Sequence, residues 1–184
     1  MLPDADLESV LLTREQIARR VAELGERISE EYKHGRDLVL IGVLKGSVIF
    51  LADLMRAITI PHRFDLVQAS SYGSTTVSSG QVTISRRGEL PLAGCDVVIV
   101  EDILDTGQTV AALARELESG GARSVALCVL LSKQRERAAN ITPRYVGFEI
   151  PDRFVVGYGL DYAEHYRHLD CVAILKRSVY ENDA

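Results

Sequence analysis

Three stretches of the chain are, after their first residue, apolar without interruption over the length of a β-strand: "DLVLIGVL" (37–44), "DVVIV" (96–100) and "SVALCVLL" (124–131). A strand with one face in water alternates apolar and polar residues, because successive side chains point to opposite faces. A strand apolar throughout must be covered on both. Helical spacing fills the gaps between these runs. Thr13 can cap a helix with Gln16 three residues on, as in a capping box, and Ile17, Val21, Leu24 and Ile28 then form one stripe to about Glu31. "VIFLADLMRAI" follows the first run, and Val110, Leu113 and Leu117 share a face before Gly120-Gly121 ends that helix. Strands alternating with helices predict an α/β fold: a mostly parallel central sheet flanked by helices.

The remaining segments fit around that frame. "HRFDLVQASSYG" (62–73) and "QVTIS" (81–85) read as strands, separated by "STTVSSG" (74–80), which has no periodicity and reads as a mobile loop over about 71–82. "FVVGYGL" and "CVAILK" read as two late strands joined by a charged, aromatic-rich link, with the terminal segments folding over as a small hood lobe. At 184 residues, with no repeat or linker, the chain is expected to form a single domain over 1–184.

Composition narrows the function. The net charge of −5, with no run of Lys or Arg longer than two, argues against nucleic acid or an anionic membrane surface as partner. Cys95, Cys128 and Cys171 are odd in number and far apart, fitting neither a disulfide framework nor a zinc site, and read as small buried hydrophobes. His165 and His168 are three apart but have no third ligand nearby, and read as a solvated pair. The first residues carry acids and no base, unlike a signal peptide, and no apolar stretch approaches the roughly 20 residues that span a bilayer. A cytoplasmic location is expected.

Chemistry is concentrated in "VVIVEDILDTGQTV" (97–110), where Glu101, Asp102 and Asp105 follow a strongly buried run. Burying unpaired carboxylates is costly, so either the strand end is wet or a cation sits there. Ligands of open parallel sheets bind at the carboxyl ends of strands. There "DTGQT" would gather backbone N–H groups and the Thr106 and Thr109 hydroxyls at a helix start, a cradle for phosphate. It is neither a dinucleotide fingerprint nor a Walker loop. Adjacent carboxylates can accept from a vicinal diol or hold hydrated Mg²⁺. Cradle and diol acceptors together describe a site for a sugar 5-phosphate.

This stretch resembles the phosphoribosyl-pyrophosphate motif of the type I phosphoribosyltransferases, and its Glu-Asp pair resembles the purine salvage branch, the hypoxanthine-guanine phosphoribosyltransferases. "LIGVLKGSVIF" is similar to the family's pyrophosphate loop, "SSYGS" to the start of its mobile lid, and "VGFEIPDRFVVGYGLDYAEHYRHL" to its base-binding segment. The resemblance implies transfer of 5-phosphoribosyl from phosphoribosyl pyrophosphate to a 6-oxopurine base, with Mg²⁺ as cofactor. It implies that Glu101 and Asp102 hold the ribose hydroxyls directly or through metal. Asp105, Thr106, Gly107, Gln108 and Thr109 would bind the 5-phosphate, and Asp105 would act as general base on the purine. Leu44, Lys45 and Gly46 would bind pyrophosphate, with a peptide between Leu44 and Lys45 that can be cis. Arg167 would contact pyrophosphate, and Ser71 and Tyr72 would close over the site.

On the purine side the resemblance assigns Lys133 to the 6-oxygen, Phe154 to stacking, and Val155 to the base edge through its backbone. Asp161 would sit beside the purine and bind a second Mg²⁺. Taken alone, a lysine after a strand usually faces solvent and a Phe-Val-Val is usually core, so these roles rest on the resemblance. Two features depart from the family pattern: the lid is short and rich in Ser and Thr, and Gly159 stands where a slightly larger residue is expected, which should loosen the turn before Asp161. A homodimer or homotetramer is implied. Xanthine stays open as a substrate. A non-catalytic sensor of the donor is the competing class, disfavoured by the acidic balance and by Asp105.

Overall fold

The computed structural model of the chain describes residues 5–35, 37–71, 82–86, 90–135 and 141–181. Six strands form one sheet: β2 (Leu38–Val43), β3 (His62–Ser71), β4 (Val82–Arg86), β5 (Asp96–Leu104), β6 (Ser124–Lys133) and β7 (Tyr145–Ile150), in the order β4-β3-β2-β5-β6-β7. Five of them run parallel, and β4 is added antiparallel on the edge beside β3. The apolar runs are the central strands: every residue of β2 is buried, as are the first five of β5.

Helices cover both faces. The α1 helix (Arg14–Tyr32) begins at the expected capping box, Thr13 N–H donating to Gln16 Oε1 at 2.8 Å and Gln16 N–H to Thr13 Oγ1 at 3.3 Å. Its stripe of Ile17, Val21, Leu24 and Ile28 is buried with α2 (Val48–Ala57) over one face of the sheet. A Cβ at Gly25 would stand 2.7 Å from the Ala57 backbone, so the two helices cross at backbone contact there. The α3 helix (Gln108–Ser119) buries Val110, Leu113 and Leu117 against the other face and ends at Gly120.

A second, three-stranded antiparallel sheet makes the hood: β1 (Leu7–Leu12), β9 (Val172–Leu175) and β8 (Val155–Val156), followed by a short α4 (Arg177–Tyr180). Leu7, Val156, Leu169, Cys171, Ala173 and Leu175 form its own small core. Tyr158 ties the hood to α2 by donating its hydroxyl to Asp53 Oδ2 at 2.6 Å.

Four local expectations change. The acidic leader contains β1, whose acid-interrupted pattern hides a strand that only its pairing with β9 stabilises. The β7 edge strand lies inside the base-binding stretch, where Gly147 breaks its apolar run and lets it lie against the Leu130 backbone. "FVVGYGL" yields only two strand residues, because Gly157, Tyr158 and Gly159 all take positive φ. "DVVIV" extends four residues further, so Glu101 and Asp102 belong to β5 rather than to a loop beyond it. The residues expected to form the mobile loop, Tyr72 included, lie outside the described residues apart from the ends of β3 and β4.

Candidate active site at the carboxyl edge of the sheet

Parallel strands in register deliver their C-terminal ends to one edge. Glu101 lies beside Val129 and Leu104 beside Ser132, so Asp105 and Lys133 leave the sheet side by side. Lys133 pairs with Ile150 of β7, which brings Asp152 to the same place. The loop after β2, residues 44–47, opens on this edge too, and its Leu44–Lys45 peptide is cis, the form that the resemblance allowed but left open.

Of the two alternatives the sequence left, a wet strand end does not hold for Asp102, while Glu101 is partly exposed with one oxygen shut in. Asp102 is 8% exposed, and Glu101 Oε2 is buried with no hydrogen-bond partner. Burial, reinforced by the Asp102 charge, lifts the Glu101 carboxyl well above the ordinary range. Burial also raises Asp102, opposed by the hydrogen bond it receives from Glu101 and by the Ile103 N–H donated to Oδ1 at 2.9 Å. Burial thus pushes both carboxyls toward the protonated form, and the two share a hydrogen bond.

The glycines of two loops seal this pair. A Cβ at Gly46 would overlap Asp102 Oδ2 and stand 2.7 Å from Cγ. Gly159, at φ 101°, lies against Gly46 in turn: a Cβ there would overlap the Gly46 carbonyl oxygen and stand 3.2 Å from its carbon. The expectation that Gly159 loosens its turn is thus overturned. A larger residue has neither the space nor the backbone conformation.

Beyond Gly159 the chain gathers charge. Arg167 donates to the Gly159 carbonyl at 2.7 Å and pairs with Asp161 at 2.9 Å and Glu164 at 3.3 Å. Glu164 also meets Lys45 Nζ at 3.0 Å, and the Glu164 N–H donates to Asp161 Oδ2 at 2.9 Å. Lys45 and Arg167 therefore share one carboxylate across the loop expected to hold pyrophosphate. Glu164 lies inside a quoted stretch, but nothing in the sequence reading singled it out.

At residues 105–109 the expected cradle forms. Gly107 takes φ 77° and caps α3, its carbonyl accepting from Ala111 N–H at 2.9 Å. Gln108 and Thr109 begin the helix, and Thr106 is exposed at its mouth. The first N–H groups of α3 and the positive end of its dipole thus face the edge where Asp105 stands.

Asp105 is held by cations. Its Oδ1 pairs with Arg135 at 2.8 Å and its Oδ2 with Lys133 Nζ at 3.5 Å, while Lys133 also meets Asp152 at 3.1 Å. Lys133 is not the solvent-facing lysine of the bland reading, its side chain being 14% exposed. Sequence reasoning missed Arg135 and Asp152: Arg135 belongs to no motif and had only its nearness to Lys133 as a signal, and Asp152 lies inside the quoted base-binding stretch without having been singled out.

Phe154 and Val155 stand at the start of β8, Val155 buried. The Phe154 ring is stacked by Tyr180 of α4 at 5.0 Å and met edge-on by Tyr162 at 5.6 Å. A purine stacking on Phe154 must use its other face or displace Tyr180. Ser71 ends β3 and pairs with Val82.

Magnesium can be tested against these residues. Glu101 Oε2 is an orphaned buried acceptor beside a second carboxylate, the donor set a hard cation takes. Asp161 does not join them: among the described residues no three His, Cys, Asp or Glu gather as a metal cluster. That suits Mg²⁺, which takes one or two carboxylates and completes its shell with water and substrate oxygens.

Comparison with known proteins places the chain in a family. A family model for the phosphoribosyl transferase domain matches residues 9–163. The hypoxanthine-guanine phosphoribosyltransferase of Mycobacterium tuberculosis is 50% identical over 181 residues, covering 96% of this chain and 90% of that protein. Its namesake in Bacillus subtilis is 45% identical over 177 residues, covering 96% and 98%. The crystal structure of a hypoxanthine phosphoribosyltransferase from Staphylococcus aureus superposes with a TM-score of 0.92 at 41% identity, covering 98% and 99%.

Proposed function

We propose a function from one premise: the chain belongs to the phosphoribosyl transferase domain family, in its hypoxanthine-guanine branch. It transfers the 5-phosphoribosyl group from phosphoribosyl pyrophosphate to hypoxanthine or guanine, giving IMP or GMP and pyrophosphate. The observation that carries this reading is the meeting of three parts on one sheet edge: the anion cradle at the start of α3, the Glu101–Asp102 pair under Gly46, and Lys133 beside Asp105.

The residues divide the work accordingly. The N–H groups of residues 106–109 and the Thr106 and Thr109 hydroxyls bind the 5-phosphate. Glu101 and Asp102 lie below the ribose, where the Asp102 charge stabilises the cationic sugar as pyrophosphate leaves, joined by Glu101 once a bound cation draws off its proton. Leu44, Lys45, Gly46 and Arg167 hold pyrophosphate, with Glu164 giving up Lys45 and Arg167 to it. Lys133 donates to the purine 6-oxygen. A 6-amino group offers no acceptor there, so adenine is rejected. Asp105 takes the proton from the ring nitrogen opposite the one bonded to ribose. Phe154, Val155 and Asp161 frame the base. Ser71 and Tyr72 belong to the lid in this reading.

Mg²⁺ belongs to the same proposal, held by Glu101 and Asp102 and, at a second position, by Asp161; it neutralises the leaving pyrophosphate. Assembly as a homodimer or homotetramer is supported by Phe64 and Val48, large apolar side chains 50% and 43% exposed. A cytoplasmic setting accords with there being no described helix long and apolar enough to cross a membrane.

Pyrophosphate release with Mg²⁺ and the donor, run separately with hypoxanthine, guanine, xanthine, adenine and uracil, tests the reading. Turnover with hypoxanthine and guanine and none with adenine or uracil is the expected result, and the xanthine rate decides how the 2-position is read. Donor binding without turnover on any base would make the protein a sensor instead.

A further inference from the structure

Beyond the ends of β5, β6 and β7, two cations and two carboxylates close a ring. Arg135 Nη1 lies 2.8 Å from Asp105 Oδ1 and 3.7 Å from Asp152 Oδ2. Lys133 Nζ lies 3.5 Å from Asp105 Oδ2 and 3.1 Å from Asp152 Oδ1. Each charge meets two of opposite sign, and each carboxylate gives one oxygen to each cation.

The ring is not symmetric. The Arg135–Asp105 contact has ordinary hydrogen-bond length, whereas the Lys133–Asp105 contact is at the outer limit. Asp152 is the closer carboxylate for Lys133 and the further one for Arg135. The stronger contacts thus pair Arg135 with Asp105 and Lys133 with Asp152. A carboxylate's terminal torsion is soft and roughly two-fold, so an Asp held by nothing presents either oxygen. With Oδ1 on Arg135 and Oδ2 on Lys133, each oxygen of Asp105 has its own cation, and the torsion stays set as long as the shorter of the two contacts is kept.

We propose that Arg135 is a positioning residue for Asp105, a proposal that rests on Asp105 being the general base. Arg135 keeps hold of Oδ1 and thereby turns Oδ2 toward the purine. When a 6-oxopurine draws Lys133 to its oxygen, the long Lys133–Asp105 contact is the one given up. Oδ2 is then released beside the ring N–H that it must accept, while Oδ1 stays on Arg135. Asp152 supplies the other half of the arrangement: it holds the Lys133 stem end at the pocket before the base arrives and retains Arg135 afterwards. The base and the 6-oxygen donor are thus set by one linked group of side chains.

The test uses the full-length chain with Arg135→Gln, Arg135→Lys and Asp152→Asn, each checked by thermal melting and assayed on hypoxanthine and donor. Arg135→Gln should lower kcat by about tenfold or more, with both KM values within about threefold, because the base is misaimed rather than the substrates unbound. Arg135→Lys should recover part of that loss. Asp152→Asn should raise KM for hypoxanthine more than it lowers kcat. The proposal is overturned if Arg135→Gln keeps its kcat, if its loss appears equally in KM for hypoxanthine, or if Arg135→Lys restores nothing. Wild-type turnover separates the two levels. No turnover of hypoxanthine by the wild type removes the functional reading and this inference with it, whereas an active wild type matched by Arg135→Gln removes the inference alone.

Discussion

Gly46 and Asp102 are in such close contact that a single Cβ on the glycine would overlap the carboxylate. The loop proposed to hold pyrophosphate and the strand proposed to lie under the ribose are therefore one surface. Gly159 extends the contact from the other side, and its φ of 101° adds a conformational demand to the steric one. Gly46→Ala must push the loop away from Asp102. It is expected to raise the dissociation constant for the donor by about tenfold or more, as a displacement of this size does in a preorganised site. Calorimetric titration measures it, and unchanged affinity would show that loop and strand separate freely.

The buried Glu101 carboxyl sets a second expectation. A carboxyl whose folded pKa lies above its unfolded one costs nothing at low pH and destabilises increasingly as pH rises through the window between the two, starting from the ordinary value of about 4.3. Glu101→Gln cannot ionise and escapes that cost. Its melting temperature at pH 8 should exceed wild type by about 2–4 °C, with the gain shrinking toward pH 4.5. The further rise that donor with Mg²⁺ gives the wild type should be lost in the variant. A variant less stable at pH 8, or one that keeps the ligand-induced rise, would contradict this account.

Asp105→Asn keeps the volume and the cradle but cannot accept the proton. Turnover should fall by about 100-fold or more while donor affinity changes by no more than a few-fold. Single-turnover kinetics beside donor titration checks both halves. Retained turnover would end the general-base assignment.

Lys133→Ala should weaken hypoxanthine more than the donor, by about tenfold in KM, since a buried site built to donate to the 6-oxygen loses that contact. An equal loss for both substrates would mark the lysine as structural.

At the opposite end of β5, Asp96 accepts from Arg123 Nε at 2.9 Å and Ser124 Oγ at 2.6 Å. The Arg123 guanidinium holds its carboxyl below the usual range despite burial. A depressed folded pKa gives stability that is full above the unfolded value and lost as pH falls through the folded one. Asp96→Asn should therefore melt about 2–4 °C lower at pH 7, roughly 1 kcal/mol for charge-assisted bonds with a half-exposed partner, and match wild type near pH 2. Melting curves across pH decide it, and a constant difference down to pH 2 would mean the loss is one of packing.

Much of the site could be read before any fold was known because its parts are contiguous. "EDILDTGQT" carries carboxylates, turn and helix start in one run, and backbone geometry alone turns such a run into a cradle. The capping box at Thr13 and Gln16 and the helix end at Gly120 were legible for the same reason: they are satisfied by neighbours three or four residues away. Arg135, Asp152 and Glu164 were not legible, since what matters in them is a partner 17 to 119 positions distant and nothing local marks it.

The amino-acid sequence by itself determined that the central strands are buried on both faces, that helices cover them, and that a glycine turn and a helix start follow the strand read at 96–100. These depend on period, length and local hydrogen bonding. Only the tertiary structure decided that Glu101 Oε2 is buried without a partner, that Gly46 and Gly159 have no room for a side chain, and that β1 is a strand at all. Those are properties of close approach between distant segments, where a few tenths of an ångström or one missing partner sets the energy, and local pattern carries no record of them.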